Sequence, residues 1–143
     1  MLVRLLYASR ATAAIEQEDL LAILRQSRAN NPASGVTGVL CVCPTSGIFL
    51  QVLEGGRSAV NALYRRIATD PRHTAVELLA YEEITERRFA SWAMGQADMS
   101  RLNAALLLKY SERPLLDPYA LPGSASMALL QELMATASIV GSS

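Results

Sequence analysis

The sequence predicts an α/β (α+β) protein: a ferredoxin-like β-α-β-β-α-β-β sandwich with two helices on one face of a five-stranded mixed sheet, plus C-terminal helices. Apolar runs of strand length alternate with two segments of helical periodicity in that order, and turns rich in Pro and Gly separate them. Of the 143 residues, 51% are hydrophobic and 18% are charged, which excludes an intrinsically disordered chain.

The first half of the chain accounts for three strands and one helix. Residues 2–8 form an apolar run in which Arg4 lies on the face opposite to its apolar neighbours. Residues 16–29 carry apolar side chains at helical spacing, and the Asn-Asn-Pro and Ser-Gly segments that follow end this helix. Residues 36–42 and 48–53 are apolar runs joined by Pro-Thr-Ser-Gly, a pattern typical of a β-hairpin.

The second half adds a helix, two strands and a helical tail. After a break at Glu-Gly-Gly, residues 57–69 carry four apolar side chains at helical spacing and end at Asp-Pro. Residues 76–81 and 89–97 are predicted strands, joined by a charged turn. The composition changes after the domain at 1–97, and we expect 98–143 to be a helical extension that packs on the core or on another subunit.

Composition excludes several classes of function. Thirteen basic residues balance thirteen acidic ones, so no net charge favours binding to nucleic acid or to a membrane surface. No apolar run approaches the roughly 20 residues that span a bilayer, and no signal-peptide pattern is present, so we expect a soluble, cytoplasmic protein. Cys41 and Cys43 lack the second ligand pair of a zinc site and are interpreted as core thiols. The only histidine, His73, is expected on a loop or at the surface.

Two polar side chains lie on the apolar faces of predicted strands. Tyr7 ends the first strand, and Gln51 lies in the middle of the segment FLQVL. The first and third strands of a split β-α-β sheet are neighbours, so these side chains are expected to meet on the helix-covered face. A buried amide left without partners costs about 1–3 kcal/mol, so further polar groups are expected nearby.

Two interpretations of these side chains stay open on the pattern alone. In one, a flat apolar cofactor with hydrogen-bonding edges lies between the two helices, with Ile23 and Ile67 on its faces and Ser27 and Asn31 reaching inward. In the other, the glutamine bonds to backbone or buried water, the asparagine caps a helix and the tyrosine is ordinary core, because buried polar groups usually find local partners.

Five segments of the chain, in order over residues 1–97, resemble the BLUF family of blue-light sensors that use flavin. They are LLYASRAT, RANNPASGVTGVL, FLQVLEG, DPRH and RRFASWAMG. The tail is similar to that of the short stand-alone, PixD-like members. The resemblance implies a photoreceptor rather than an enzyme, with the flavin ring held between the two helices. It also implies FAD as the cofactor, with FMN accepted.

The resemblance implies roles for individual residues. Tyr7 matches the tyrosine that donates an electron and a proton to excited flavin, and Gln51 matches the glutamine between that tyrosine and the flavin N5/O4 edge. Trp92 and Met94 match the pair on the fifth strand whose positions respond near the glutamine. Asn31 matches the side chain that bonds the carbonyl and N3 edge of the ring. The residues implied to bind the cofactor are Tyr7, Ser9, Ile23, Ser27, Asn30, Asn31, Gln51, Arg66, Ile67, Asp70, Arg72 and Met94.

A mechanism and partners are implied as well. Rotation or tautomerisation of the Gln51 amide would strengthen its hydrogen bond to flavin O4 and shift absorption to the red. The signal would pass through Trp92 and Met94 to the C-terminal helices and to a protein effector in trans, and a homo-oligomer, either a dimer or a larger ring, is expected. Two residues that are two apart on a strand also share a buried face without any switch.

Other classes of function remain open. A light-independent module of the same fold would bind a small ligand and regulate a partner. A hydrolase similar to acylphosphatase would use Asn31 and Arg10, but no phosphate-loop spacing in the sequence supports it. A flavin enzyme with turnover is disfavoured, because the chain carries no GxGxxG dinucleotide-binding motif.

Overall fold

The computed structural model describes residues 1–13, 22, 30, 32–43, 46–91, 93–97, 104–135 and 139–140. Its strands are β1 (Leu2–Ala11), β2 (Thr37–Cys43), β3 (Ile48–Gly56), β4 (His73–Ile84), β5 (Gly95–Ala97) and β6 (Ile139–Val140). Its helices are α1 (Arg57–Thr69), α2 (Ala104–Tyr110) and α3 (Gly123–Ala135), with a short 3-10 turn at Pro118–Ala120. The helix predicted over 16–29 lies outside the described residues, apart from the helical residue 22.

The strands form one sheet in the order β4-β1-β3-β2-β5-β6. β1 runs antiparallel to both β3 and β4, and β2 runs antiparallel to β3. β5 runs parallel to β2, so the sheet is mixed. The predicted ferredoxin-like order is therefore confirmed, and the two-residue strand β6 extends the β5 edge.

Each face of the sheet carries its own apolar core. The face covered by α1 includes Val3, Leu5, Tyr7, Val36, Leu40, Val42, Phe49, Leu53, Val60 and Met94. The opposite face includes Leu6, Ala8, Val39, Cys41, Leu50, Val52, Phe89, Met127, Leu130 and Leu133. Because α3 supplies the last three of these residues, the C-terminal segment packs on the face that α1 leaves open.

Helix α1 has the bounds that its periodicity predicts. Val60 is fully buried, and Leu63 and Ile67 pack against the same core one and two turns later. The helix ends where Asp70 adopts an extended conformation and its N–H bonds to the carbonyl of Ile67 at 3.1 Å. In the part of the chain that the structure describes, no helix is long and apolar enough to cross a membrane.

Several predicted strand limits differ from those of the structure. The strand predicted over 2–8 continues to Ala11, and the strand predicted over 76–81 spans His73–Ile84. The strand predicted over 89–97 is reduced to Gly95–Ala97, and residues 88–91 form bends and turns. The amides of Arg88 and Phe89 bond to the carboxylate of Glu54, at 3.1 and 2.7 Å, instead of to a neighbouring strand. β3 also continues through the Glu-Gly-Gly sequence that predicts a break, because Glu54 is buried there in an ion pair.

The two cysteines occupy different environments. Cys41 is buried in the core beneath α3, and burial raises the pKa of its thiol to about 12. Cys43 is only half-buried at the end of β2, so the prediction of a core thiol is confirmed for Cys41 alone. Across the described ranges, no group of three or more His, Cys, Asp or Glu side chains is placed to hold a metal ion.

Candidate functional site

A cleft of about 560 Å³ opens on the α1 face of the sheet, within the size range of small-molecule sites. Its apolar walls are Leu40, Phe49, Leu63, Ile67 and Ala33. Its polar lining is Tyr7, Gln51, Asn30, Ser34, Arg66, Asp70, Arg72 and His73. Apolar walls with a few convergent polar groups suit a flat ligand that carries hydrogen-bonding edges.

Three buried side chains meet at the floor of this cleft. Tyr7 and Gln51 are partners in the β1–β3 ladder, so their side chains share one face, as the strand order predicts. The Tyr7 hydroxyl donates to Gln51 Oε1, and Gln51 Nε2 donates to Met94 Sδ at 3.2 Å. Each residue is at most 5% exposed. Both ends of the amide therefore bond to side chains, in contrast to the interpretation that assigns it backbone or water partners.

The surroundings of Tyr7 keep its hydroxyl protonated. Burial raises the Tyr7 pKa well above its usual value, and the nearby Tyr64 and Asp70 raise it further. The rings of Tyr7 and Tyr64 lie 5.6 Å apart, between centroids, at 55°. The hydroxyl is therefore a neutral hydrogen-bond donor across the working pH range.

A carboxylate–guanidinium pair lies at the rim of the cleft. Arg72 donates from Nη2 to Asp70 Oδ2 at 2.7 Å and from Nε to both Asp70 oxygens, at 3.0 and 3.1 Å. The backbone N–H of Arg72 adds a bond of 2.9 Å. These bonds hold the pKa of Asp70 at about 2 and raise the pKa of Arg72. Arg66 lines the same cleft from α1 with its side chain exposed.

His73 belongs to this site, although the sequence places it on a loop or at the surface. It begins β4, lines the cleft and is half-buried, with its ring centroid 4.9 Å from that of Phe49. Its Nδ1 lies 2.9 Å from the hydroxyl of the fully buried Ser9. Burial lowers the pKa of His73, so the ring is neutral near pH 7. The signal in the sequence was alternation along β1, which puts Ser9 on the Tyr7 face.

The predicted site residues fall into three groups. Those that line the cleft are Tyr7, Asn30, Gln51, Arg66, Ile67, Asp70 and Arg72. Met94 contacts Gln51, and Ser9 contacts the cleft residue His73. Those outside the described residues are Ile23, Ser27, Asn31 and Trp92. Cleft residues that sequence reasoning missed are Ala33, Ser34, Leu40, Phe49, Leu63 and His73.

The hydrolase alternative needs Arg10 at the same site. Instead, the guanidinium carbon of Arg10 lies 4.9 Å from the ring centroid of Tyr119. Tyr119 packs against the core on the α3 face of the sheet. Arg10 therefore does not line the cleft with Tyr7 and Gln51, and the role that this alternative gives to Arg10 is not supported.

Similarity to known proteins identifies the family of this chain. The family model described as "Sensors of blue-light using FAD", BLUF, matches residues 2–95. The chain belongs to the BLUF family. Photoactivated adenylate cyclase subunit beta of Euglena gracilis is 39% identical over 97 residues, which cover 67% of this chain and 11% of that protein. Subunit alpha from the same organism is 39% identical over 90 residues, which cover 63% of this chain and 9% of that protein. The chain thus spans about a tenth of the length of the curated relatives it matches.

Solved BLUF structures share the fold. The dark-state structure of BlrB, a BLUF protein, has a TM-score of 0.78 and 35% identity, with 95% of this chain and 96% of that chain covered. BlsA in its photo-activated state has a TM-score of 0.83 and 30% identity, with 94% and 95% covered. A bacterial light-regulated adenylyl cyclase has a TM-score of 0.68 and 29% identity, with 95% and 36% covered. This BLUF chain is thus a flavin-binding member of a blue-light sensor family.

Proposed function

We propose that this BLUF chain is a blue-light receptor that holds FAD in the cleft and answers light by rearranging the hydrogen bonds of Tyr7 and Gln51. The observation that carries the proposal is the buried Tyr7–Gln51 bond at the cleft floor, with Met94 on the other end of the amide. The chain would act as a cytoplasmic sensor without catalytic turnover.

The chemistry of the cleft residues fits a flavin. Leu63 and Ile67 of α1 and Phe49 of β3 offer apolar surface for a tricyclic ring. Arg66 and Arg72 supply cations at the open rim, where phosphates of FAD or FMN would bind. FAD is the proposed cofactor, and FMN would satisfy the same ring-binding residues. When bound, the flavin supplies blue-light absorption and an electron acceptor.

Tyr7 is the proposed electron donor at this site. Its raised pKa means that it is a neutral phenol before light arrives. Loss of an electron makes a phenol strongly acidic, so its proton would leave along the existing hydrogen bond to Gln51 Oε1. The half-exposed Tyr64 lies beside it but has no such bond to Gln51, so the two tyrosines are not equivalent.

Gln51 is the proposed switch because its amide has one donor end and one acceptor end. In this structure the oxygen accepts from Tyr7, and the nitrogen donates to Met94. Rotation or tautomerisation of the amide would change its hydrogen bonds to both Tyr7 and Met94. Met94 would then lose or alter its contact, and the change would reach the strand that follows it.

The proposed output path runs from Met94 into β5. This strand pairs with β2 through Val39 and Gly95, and with β6 on its other edge. We propose 1–97 as the light-sensing domain and 98–143 as the output extension. The output would be read by a protein effector in trans, with the receptor as a homo-oligomer.

Substitution of Tyr7 and Gln51 tests this proposal. Tyr7→Phe and Gln51→Leu should retain flavin but lose the light-induced red shift, whereas the control Tyr64→Phe should keep it. Asn31→Ala should weaken flavin binding or change the dark spectrum. A normal photocycle in Tyr7→Phe or Gln51→Leu would refute the mechanism, and a colourless protein that takes up no added FAD would support a light-independent module instead.

A further inference from the structure

We infer that Glu54 is a positioning residue for the proposed switch: its buried carboxylate anchors residues 88 and 89, and thereby sets how Met94 sits against Gln51. The inference rests on the proposed function, because it assigns a regulatory contact to the same site. It concerns the face of the sheet opposite the cleft, where no cofactor is proposed.

Both oxygens of Glu54 are used within the described residues. The side chain is 0% exposed, and its partner Arg4 is 4% exposed. Arg4 donates from Nε to Oε2 at 2.8 Å and from Nη2 to the same oxygen at 2.7 Å. The backbone N–H of Phe89 donates to Oε1 at 2.7 Å, and that of Arg88 donates to Oε2 at 3.1 Å.

Burying two charges between strands costs desolvation free energy that their attraction must offset. Apolar residues of similar volume often stabilise a core as well or better, because each charge must first lose its water. A carboxylate does one thing that apolar residues cannot, which is to accept bonds from backbone amides that have no strand partner. The amides of Arg88 and Phe89 are in that situation, since residues 88–91 form bends and turns.

β3 holds the same segment from both faces of the sheet. On the cleft side, Gln51 bonds to Met94, and on the other side Glu54 bonds to the amide of Phe89. The described residues of this segment, 88–91 and 93–94, are thus held by two side chains from one strand, one at Phe89 and one at Met94. Release of the Glu54 end would free the segment to move Met94 relative to the amide of Gln51.

The anchored segment also contacts the C-terminal helix. Phe89 is fully buried in the core that includes Leu130 and Leu133 of α3. Its amide and its ring are therefore held by β3 and α3 respectively. A shift of Met94 on the cleft side would be transmitted through this short segment to α3.

Glu54→Gln tests the anchor, and Glu82→Gln is the matched control. Glu82 also pairs with Arg4, at 2.6 Å from Nη1, but its side chain is 55% exposed and bonds to neither amide. In flavin-free protein, amide hydrogen exchange at Phe89 should rise about tenfold or more in Glu54→Gln and stay within about twofold in Glu82→Gln. Emission from Trp92, the only tryptophan in the chain, gives a second flavin-free readout of the same segment.

The light response decides between positioning and simple support. In FAD-loaded protein, Glu54→Gln should change the rate of dark recovery about threefold or more, while Glu82→Gln should recover at the rate of the unsubstituted chain. Faster exchange with an unchanged recovery rate would overturn the inference. If Glu54→Gln does not fold, Glu54→Asp carries the same test, since it keeps the charge beside Arg4 but shortens the reach to the amides. Absence of any red shift in the unsubstituted chain would instead refute the proposed function.

Discussion

The energy of the Tyr7–Gln51 bond can be measured without flavin or light. Tyr7→Phe leaves Gln51 Oε1 buried without its donor, and Gln51→Leu leaves the buried Tyr7 hydroxyl without its acceptor. Each single change should cost about 1–3 kcal/mol of unfolding free energy, because an unmade buried bond carries the full desolvation penalty. The double variant removes both polar groups, so it should cost less than the sum of the two. The interaction energy is expected to be about 1–3 kcal/mol in magnitude.

Urea denaturation of the flavin-free protein measures this cycle. With a denaturant slope of about 1–3 kcal/mol per molar for a small domain, each single change should shift the midpoint by about a third of a molar or more. The control cycle pairs Gln51→Leu with Tyr110→Phe, since Tyr110 bonds to Glu132 on the helical tail. The control should be additive within about 0.3–0.5 kcal/mol. Additivity within the same limits for Tyr7→Phe with Gln51→Leu would show that the two side chains do not stabilise each other.

Three further substitutions test the rim and the sheet. Burial lowers the pKa of His73 below 6.5, so the stabilising contribution of the neutral ring is present above that pH and is lost as the pH falls. Between about pH 7.5 and about pH 5, His73→Gln should therefore lose less stability in thermal melts than the unsubstituted chain. The pKa of Asp70 falls from 3.8 to about 2, so its contribution is present above 3.8 and is lost towards 2; acid titration of Asp70→Asn should lack this loss. A Cβ on Gly38 would lie 2.0 Å from a backbone carbonyl oxygen, so Gly38→Ala should lower the free energy of unfolding, measured in urea, by about 1–3 kcal/mol. The control Gly56→Ala should lower it far less, because a Cβ there would have no atom within 4 Å. A stable Gly38→Ala protein, or unchanged pH curves in the other two variants, would contradict these assignments.

The sequence was sufficient to predict the meeting of Tyr7 and Gln51. Strand order places β1 beside β3, and period-two alternation then puts both side chains on one face. Helix α1 was equally predictable, because its apolar spacing and the Asp-Pro that follows are local signals. These features depend on residues that are close in sequence or on a single topological rule.

Long-range pairing of polar groups was not predictable in the same way. The sequence predicts that the strand ends at Glu54, because a charged residue is seldom buried. In the structure, Arg4 neutralises the buried charge of Glu54 from a strand fifty positions away. The amides of residues 88 and 89 then bond to that carboxylate, which shortens the predicted fifth strand. His73 was assigned to the surface for a related reason, since its partners Ser9 and Phe49 lie on other strands.

The most direct test of the central claim is an absorption spectrum of the FAD-loaded protein, recorded in the dark and then under blue light. The flavin bands should shift to the red in light and return in the dark, and the shift should be absent in Tyr7→Phe. Flavin bands that only bleach would identify a redox flavoprotein and contradict the account. A protein that binds no flavin would contradict it at the first step.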